Sequence, residues 1–286
     1  MRKNFAKNAT ESAHPSLWKN AVVMFNGQDC VSASPVNFAT GKKMSVTNYR
    51  STLALPKAGG GTYSFRNADS TFIDCANSST VFAGWTGAIT VAASFTFAES
   101  GYDSYRCVAG EIGSGNTNGS FLIYLYPQGS NWRWGQVVSG TFYGLNITGF
   151  TTQYNKRYRA VFTYDGTNYQ MYVNGVLVGS GVNSFGFGIS GSRYLTIGRL
   201  SNGVGYYEWD GEISEVLLYK RWFSPQAARN YCAGASPFTK LSRAVVGKAV
   251  VAAPPSAVLM RGMSYVRQGE TASPWGLQPI EEGVTA

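Results

Sequence analysis

The sequence has one histidine, His14, and four cysteines in 286 residues. Cys30, Cys75, Cys107 and Cys232 stand far apart and form no C-x-x-C pair, which excludes a structural zinc site and predicts buried free thiols. A single imidazole removes most hydrolytic triads, and His14, beside Pro15 in a polar stretch, reads as a boundary residue. Charge is scarce as well. Only 14% of residues are charged against 44% hydrophobic, a balance that argues against intrinsic disorder. No apolar run reaches the roughly 18 residues needed to span a bilayer. The longest, 249–260, contains Pro254-Pro255, so no membrane association is expected. Behind the charged start Met1-Arg2-Lys3 there is no apolar h-region, and no signal peptide is read.

What the chain holds in excess is glycine (34) and aromatics: 18 Tyr, 16 Phe and 7 Trp. This composition points to an all-β domain with many tight turns. Ile89, Val91, Ala93, Phe95 and Phe97 alternate with Thr90, Ala92, Ser94 and Thr96, which predicts a long strand with one face on a core and the other mildly polar. Further strands are expected at 21–25, 105–111, 121–126, 132–138, 158–164, 169–173, 176–179, 194–198 and 213–219. Asn174-Gly175 between two of them supplies the two positive-φ positions of a type I′ hairpin turn, and Asp165-Gly166 marks the preceding turn. One short helix is expected at 224–231, with Ser224 as N-cap and Pro225 in its first turn.

After residue 232 the texture changes. Residues 233–286 contain five of the ten prolines and no strong period, so they read as an extended C-terminal arm following a sandwich at 21–232. Residues 1–20 carry four Lys/Arg against one Glu and read as a basic N-terminal arm. The formal net charge of +9 is thus relatively concentrated at the ends, which suits an acidic protein surface. No nucleic-acid motif sharpens the alternative of a nucleic-acid partner, which is not expected.

The run from Tyr158 to Val178, with its Tyr164-Asp165-Gly166 and Tyr172-Val173-Asn174-Gly175 elements, resembles the signature hairpin of laminin-G-like domains, members of the concanavalin A-like jelly-roll superfamily. Tyr194-Leu-Thr-Ile-Gly198 is similar to a following strand of that family. Trp209-Asp-Gly211-Glu-Ile213-Ser-Glu215 through Tyr219, Arg221 and Ser224 resembles its closing signature. Upstream, Gly61–Phe65, Thr71–Asp74 and Gly87–Val91 fit its opening strands. The match runs over about residues 15–232 and implies a jelly-roll β-sandwich. A narrower resemblance, in His14-Pro15-Ser-Leu17 and in Asn230–Phe238, is to laminin-G-like proteins encoded among bacteriophage virion genes.

The residues raise three kinds of site. Glu208-Trp-Asp210-Gly-Glu212 has the Glu-x-Asp-x-Glu spacing of concanavalin A-like glucanases, and alternate residues of one strand would share a face. A turn dipeptide at its centre and its place in the closing signature predict a turn into the last strand, with no catalytic pair. Calcium, which several relatives bind in rim loops, would need a dense set of oxygens. Asp69, Asp74, Asp103 and Asp165 are scattered, so calcium lacks an acidic loop and no metal or other cofactor is expected. For a glycan surface the candidates are Trp132 and Trp134, which share a strand face, and Tyr143, Tyr206 and Tyr207 in loop-like segments. Paired tryptophans on a strand face are more often part of a core or interface, which is the expected role of this pair.

These readings together give a non-enzymatic virion protein, a capsid decoration or cement protein made in the host cytoplasm and displayed on the virion surface. The expected partners are the major capsid or other virion proteins, with self-association and glycan binding as further options. A carbohydrate-binding lectin is the alternative and a glycoside hydrolase the third reading. Assembly contacts are assigned to Arg2, Lys3, Lys7, Lys240, Arg243, Lys248, Leu259, Trp275 and Leu277, because arms poor in core-forming pattern gain order by burial against something else.

Overall fold

The computed structural model describes residues 5–30, 33–47, 54–55, 62–65, 71–77, 87–98, 106–112, 118–126, 131–138, 141–148, 152–182, 194–201 and 206–241. Seventeen strands are present among them: β1 (Ala21–Asn26), β2 (Ser45–Thr47), β3 (Ala54–Leu55), β4 (Thr62–Phe65), β5 (Phe72–Asn77) and β6 (Ile89–Thr96) come first. The middle of the chain gives β7 (Arg106–Ile112), β8 (Asn118–Tyr126), β9 (Asn131–Val138), β10 (Thr141–Ile147), β11 (Arg157–Tyr164), β12 (Asn168–Val173) and β13 (Val176–Val182). β14 (Tyr194–Ile197), β15 (Arg199–Ser201), β16 (Tyr206–Glu208), β17 (Gly211–Tyr219) and the helix α1 (Pro225–Cys232) complete the order.

Two antiparallel sheets stack face to face. The larger runs β13-β12-β11-β6-β17-β4-β3, with β1 also paired to β17, and the smaller runs β10-β9-β8-β7-β14-β5-β2. A separate ribbon joins β15 and β16. Asn174 and Gly175 have φ of 48° and 86°, so the hairpin between β12 and β13 is the tight turn that Asn-Gly dictates.

Between the sheets lies an aromatic core. Ile89, Val91 and Phe95 of β6 point into it with 1% exposure or less. Phe95 sits 5.8 Å from Trp132 and 5.1 Å from Trp209, and Trp134 stacks on Phe162 at 5.5 Å. Cys30, Cys75 and Cys107 are buried free thiols, and burial pushes each of them well up from the ordinary cysteine range.

The other face of β6 departs from its sequence expectation. Thr90, Ala92 and Ser94 are as buried as their inward neighbours. The reason is lateral: Met24, Leu217, Ala92, Val161 and Tyr172 fall side by side across five strands, making an apolar row on the outer face of the large sheet. Such a row must be covered. The cover is α1 together with segments from both ends of the sandwich sequence, contributing Phe5, Leu17, Phe223, Ala228, Tyr231 and Phe238. Ser224 caps α1 by accepting a hydrogen bond from the Ala227 N–H at 3.2 Å. The Phe223 N–H is tied to the hydroxyls of Thr163 at 2.8 Å and Thr90 at 3.0 Å, which pins the turn leading into the helix.

Residues 5–20 and 233–241, expected as arms, therefore pack on the sandwich. Ala6 N–H donates to Phe238 O and Ala13 N–H to Thr239 O, Leu241 N–H donates to Glu11 O, and Ser12 bridges Lys240. Phe238 meets Phe5, Phe38 and Trp18 edge-on at 5.4 to 6.1 Å, and the Trp18 Nε1–H donates to Pro237 O at 3.1 Å. The compact unit thus includes both of these segments.

Candidate functional site

Glu208 and Glu212 do not lie on one strand. Glu208 ends β16, Trp209 and Asp210 make the connection, and Glu212 belongs to β17. Gly211 has φ +143° at the junction, where a Cβ would run into the Thr96 carbonyl oxygen. Trp209 is fully buried in the core, and Glu212 faces Arg157 at 3.8 Å. The motif is thus divided by a two-residue connection leading into the last strand.

For Trp132 and Trp134 the structure shows the core reading and excludes them as glycan-contact candidates. Trp132 and Trp134 are 0% and 1% exposed, packed between the sheets against Phe95, Tyr158, Phe162 and Tyr169, so neither offers a ring face to a sugar. Tyr143 lies in β10, and Tyr206 and Tyr207 in β16, where loop-like segments were expected. Their pairing with β9 and β15 was not signalled by turn residues. Among the described residues no three His, Cys, Asp or Glu side chains come together as a metal group. Asp165 is committed to its turn: despite desolvation, hydrogen bonds from the Asn168 and Thr167 N–H groups and the Asn168 side chain hold its carboxyl below the usual range. Lys7 and Lys240 are exposed, whereas Arg2, Lys3, Arg243, Lys248, Leu259, Trp275 and Leu277 lie outside the described residues.

The structure assembles a site that motif reading missed. One step along the strands from the apolar row, Asn26, Glu215, Ser94 and Arg159 fall in register across β1, β17, β6 and β11. Over this polar row opens a cleft of about 380 Å³, whose lining includes Arg157, Ser214, Ser236 and Lys240. Residues 234–240 and Phe5 form its other wall.

Its floor is a bonded network. Arg159 Nη2 donates to Glu215 Oε1 at 3.1 Å and to Ala235 O at 3.1 Å, and its guanidinium lies 4.3 Å above the Tyr231 ring. The Ser236 hydroxyl donates to Glu215 Oε2. The Ser214 hydroxyl donates to Ser94 O at 2.9 Å. Desolvation works against the Arg159 charge, yet Tyr231 and Glu215 beside it hold its pKa above the ordinary arginine value. The Tyr231 phenol is pushed well up by burial and by Glu215.

Each member of the row was visible as a polar residue on an outward strand position. What the sequence did not display is the register that aligns them. Only the pairing of β1, β17 and β11 with β6 brings residues 26, 94, 159 and 215 together.

Comparison with known proteins bears on the fold. The family model for the concanavalin A-like lectin/glucanases superfamily matches residues 51–228. No curated protein matches the chain. Among solved structures, Trypanosoma rangeli sialidase is similar at a TM-score of 0.53 and 13% identity, over 74% of this chain and 32% of that one. The same sialidase in complex with sialic acid is similar at 0.54 and 15%, over 74% and 32%. The mutant chain HCR D/C VPI 5995 is similar at 0.58 and 9%, over 77% and 53%. The chain thus spans about a third of the sialidase chains and about half of the third, and at these identities the likeness is one of fold. Among the described residues no helix is long and apolar enough to cross a membrane.

Proposed function

The chain belongs to the concanavalin A-like lectin/glucanases superfamily, and from that membership and the geometry of its flanks we propose that it is a non-enzymatic structural protein of a virion. In this reading it decorates or cements a capsid, held through its flanking segments to the major capsid protein or another virion protein, with the sandwich outward on the virion surface.

The observation that carries the reading is the junction of the two flanks. Residues 6–13 and 238–241 are hydrogen-bonded to each other on one face of the large sheet, so the two ends of the described chain, Phe5 and Leu241, both lie on that face. Two tethers on one face give one attachment point whose affinities multiply. Exposed Lys7 and Lys240 at that place add positive charge, which favours an acidic shell and makes attachment salt-sensitive. The placement of Glu208 and Glu212 on different strands, β16 and β17, supports the non-enzymatic part of the reading.

The test removes residues 243–286, leaving the compact unit whole. The truncated protein is expected to lose at least tenfold in binding to virus particles that lack it, while the full chain binds and is displaced by salt. Full occupancy by the truncated chain refutes the attachment reading. Absence of the protein from purified virions by mass spectrometry refutes the virion assignment itself.

A further inference from the structure

Across β1, β17, β6 and β11 the outer face of the large sheet changes from an apolar row, Met24–Leu217–Ala92–Val161, to the polar row Asn26–Glu215–Ser94–Arg159 within one pleat. The first row is sealed by the cover. Over the second, residues 234–240 leave open the cleft of about 380 Å³, within the size range of small-molecule sites. We infer that this cleft is a binding site for a carboxylate-bearing saccharide.

The floor and the rim differ in commitment. On the floor, Arg159 and Ser236 are both spent on Glu215, and Ser214 is bound to the Ser94 carbonyl, so these groups are held in place before any ligand arrives. On the rim, Arg157 is held only loosely. Its Nη1 lies 3.4 Å from the Ser214 hydroxyl and its Nη2 3.8 Å from Glu212, and its side chain is 44% exposed. Those lengths are at or beyond the limit of a useful hydrogen bond, so the guanidinium is able to turn to a ligand. Lys240 on the opposite wall is exposed. Asn26 accepts from the Gln28 N–H through Oδ1, and among the described residues no hydrogen bond occupies its Nδ2.

The lining therefore offers two cations, Arg157 and Lys240, while its own carboxylate, Glu215, is already paired with Arg159. That balance selects an anion, and the planar fork of Arg157 suits a carboxylate. Amide and hydroxyl groups around it both donate and accept, as a polyhydroxylated ring requires. The aromatic residues of the lining, Phe5 and Phe238, are spent in the cover at 2% and 6% exposure. No apolar pocket remains for the anchoring side chain that a peptide ligand would use. This inference does not rest on the attachment reading, because it concerns the sandwich unit alone.

The probe is digalacturonate, titrated calorimetrically into the full-length protein beside its neutral dimethyl ester. Saturable binding of the acid is expected, with the ester at least tenfold weaker. Arg157→Gln should weaken the acid about tenfold, the usual consequence of losing a charge-assisted hydrogen bond. Lys240→Gln should weaken it about threefold. Lys156→Gln, which removes an equal charge from an exposed position beside the cleft, should change it less than twofold. Near-identical circular dichroism of the variants confirms that each is folded. Equal binding of acid and ester, an equal loss on Lys156→Gln and Arg157→Gln, or no saturable binding of the acid by the wild-type protein each overturns the inference. So does tight binding of a glutamate-rich peptide of equal charge with none of the saccharide, which would assign the cleft to a protein partner.

Discussion

The two faces of the large sheet are built from the same strands and both bury apolar side chains, yet they are closed in different ways. The inner face meets a second sheet, and its core is drawn from side chains spread along the whole sandwich, Phe25, Phe95, Trp132, Trp134, Phe162 and Trp209 among them. The outer face meets one short helix and two peripheral segments, with Phe5 and Phe238 in contact although they lie at opposite ends of the described chain. A face closed by a sheet is part of the body. A face closed by segments tied at few points is a lid on it, and its stability is local.

The largest expected effect comes from the inner face. Phe95→Ala should cost about 4 kcal/mol, since it opens a cavity among Trp132, Tyr158 and Trp209 that the rigid sandwich cannot refill. Denaturant unfolding should show the whole transition shifted. The same substitution on the outer face, Phe238→Ala, should cost about 2 kcal/mol, because the residue sits at the edge of the cover and its neighbours have room to relax. Hydrogen exchange should then lose protection at residues 6–13 and 238–241 while β6 and β11 keep theirs. Equal losses for the two variants, with both unfolding the entire domain, would erase the distinction between body and lid.

A smaller effect needs no mutation. Tyr219 of β17 and Tyr231 of the cover, both buried at the outer face, are pushed above the ordinary tyrosine pKa of 10.0, first by burial and then by Glu215. A raised pKa means that the folded state favours the protonated phenol, so this contribution is complete below pH 10 and is lost as the pH rises above it toward the folded values. The urea midpoint should fall progressively above pH 10, and the double variant Tyr219→Phe/Tyr231→Phe should remove part of that decline, the buried thiols of Cys30, Cys75 and Cys107 contributing to the remainder. An unchanged decline in the double variant would place the alkaline weakness elsewhere.

Much of this architecture could be read along the chain. Alternation in β6, the Asn174-Gly175 turn, the Ser224 cap and the closing signature around β17 are local patterns, and local patterns report local structure. The reading of one mildly polar face on β6 failed because Ala92, Ser94 and Thr90 are neutral on the matter of burial. Their environment is set by Val161 and Leu217 on neighbouring strands. Trp132 and Trp134 show the same limit: period two places both on one face but does not say whether that face meets water or a second sheet.

Sequence alone therefore determined the fold class, the Asn174-Gly175 turn and the helix cap, because each depends on residues close together in the chain. Tertiary structure alone decided that residues 5–20 and 233–241 belong to the sandwich. It also decided that Asn26, Ser94, Arg159 and Glu215 make one floor, since register between strands separated by up to 189 positions is fixed only when the whole sheet is assembled.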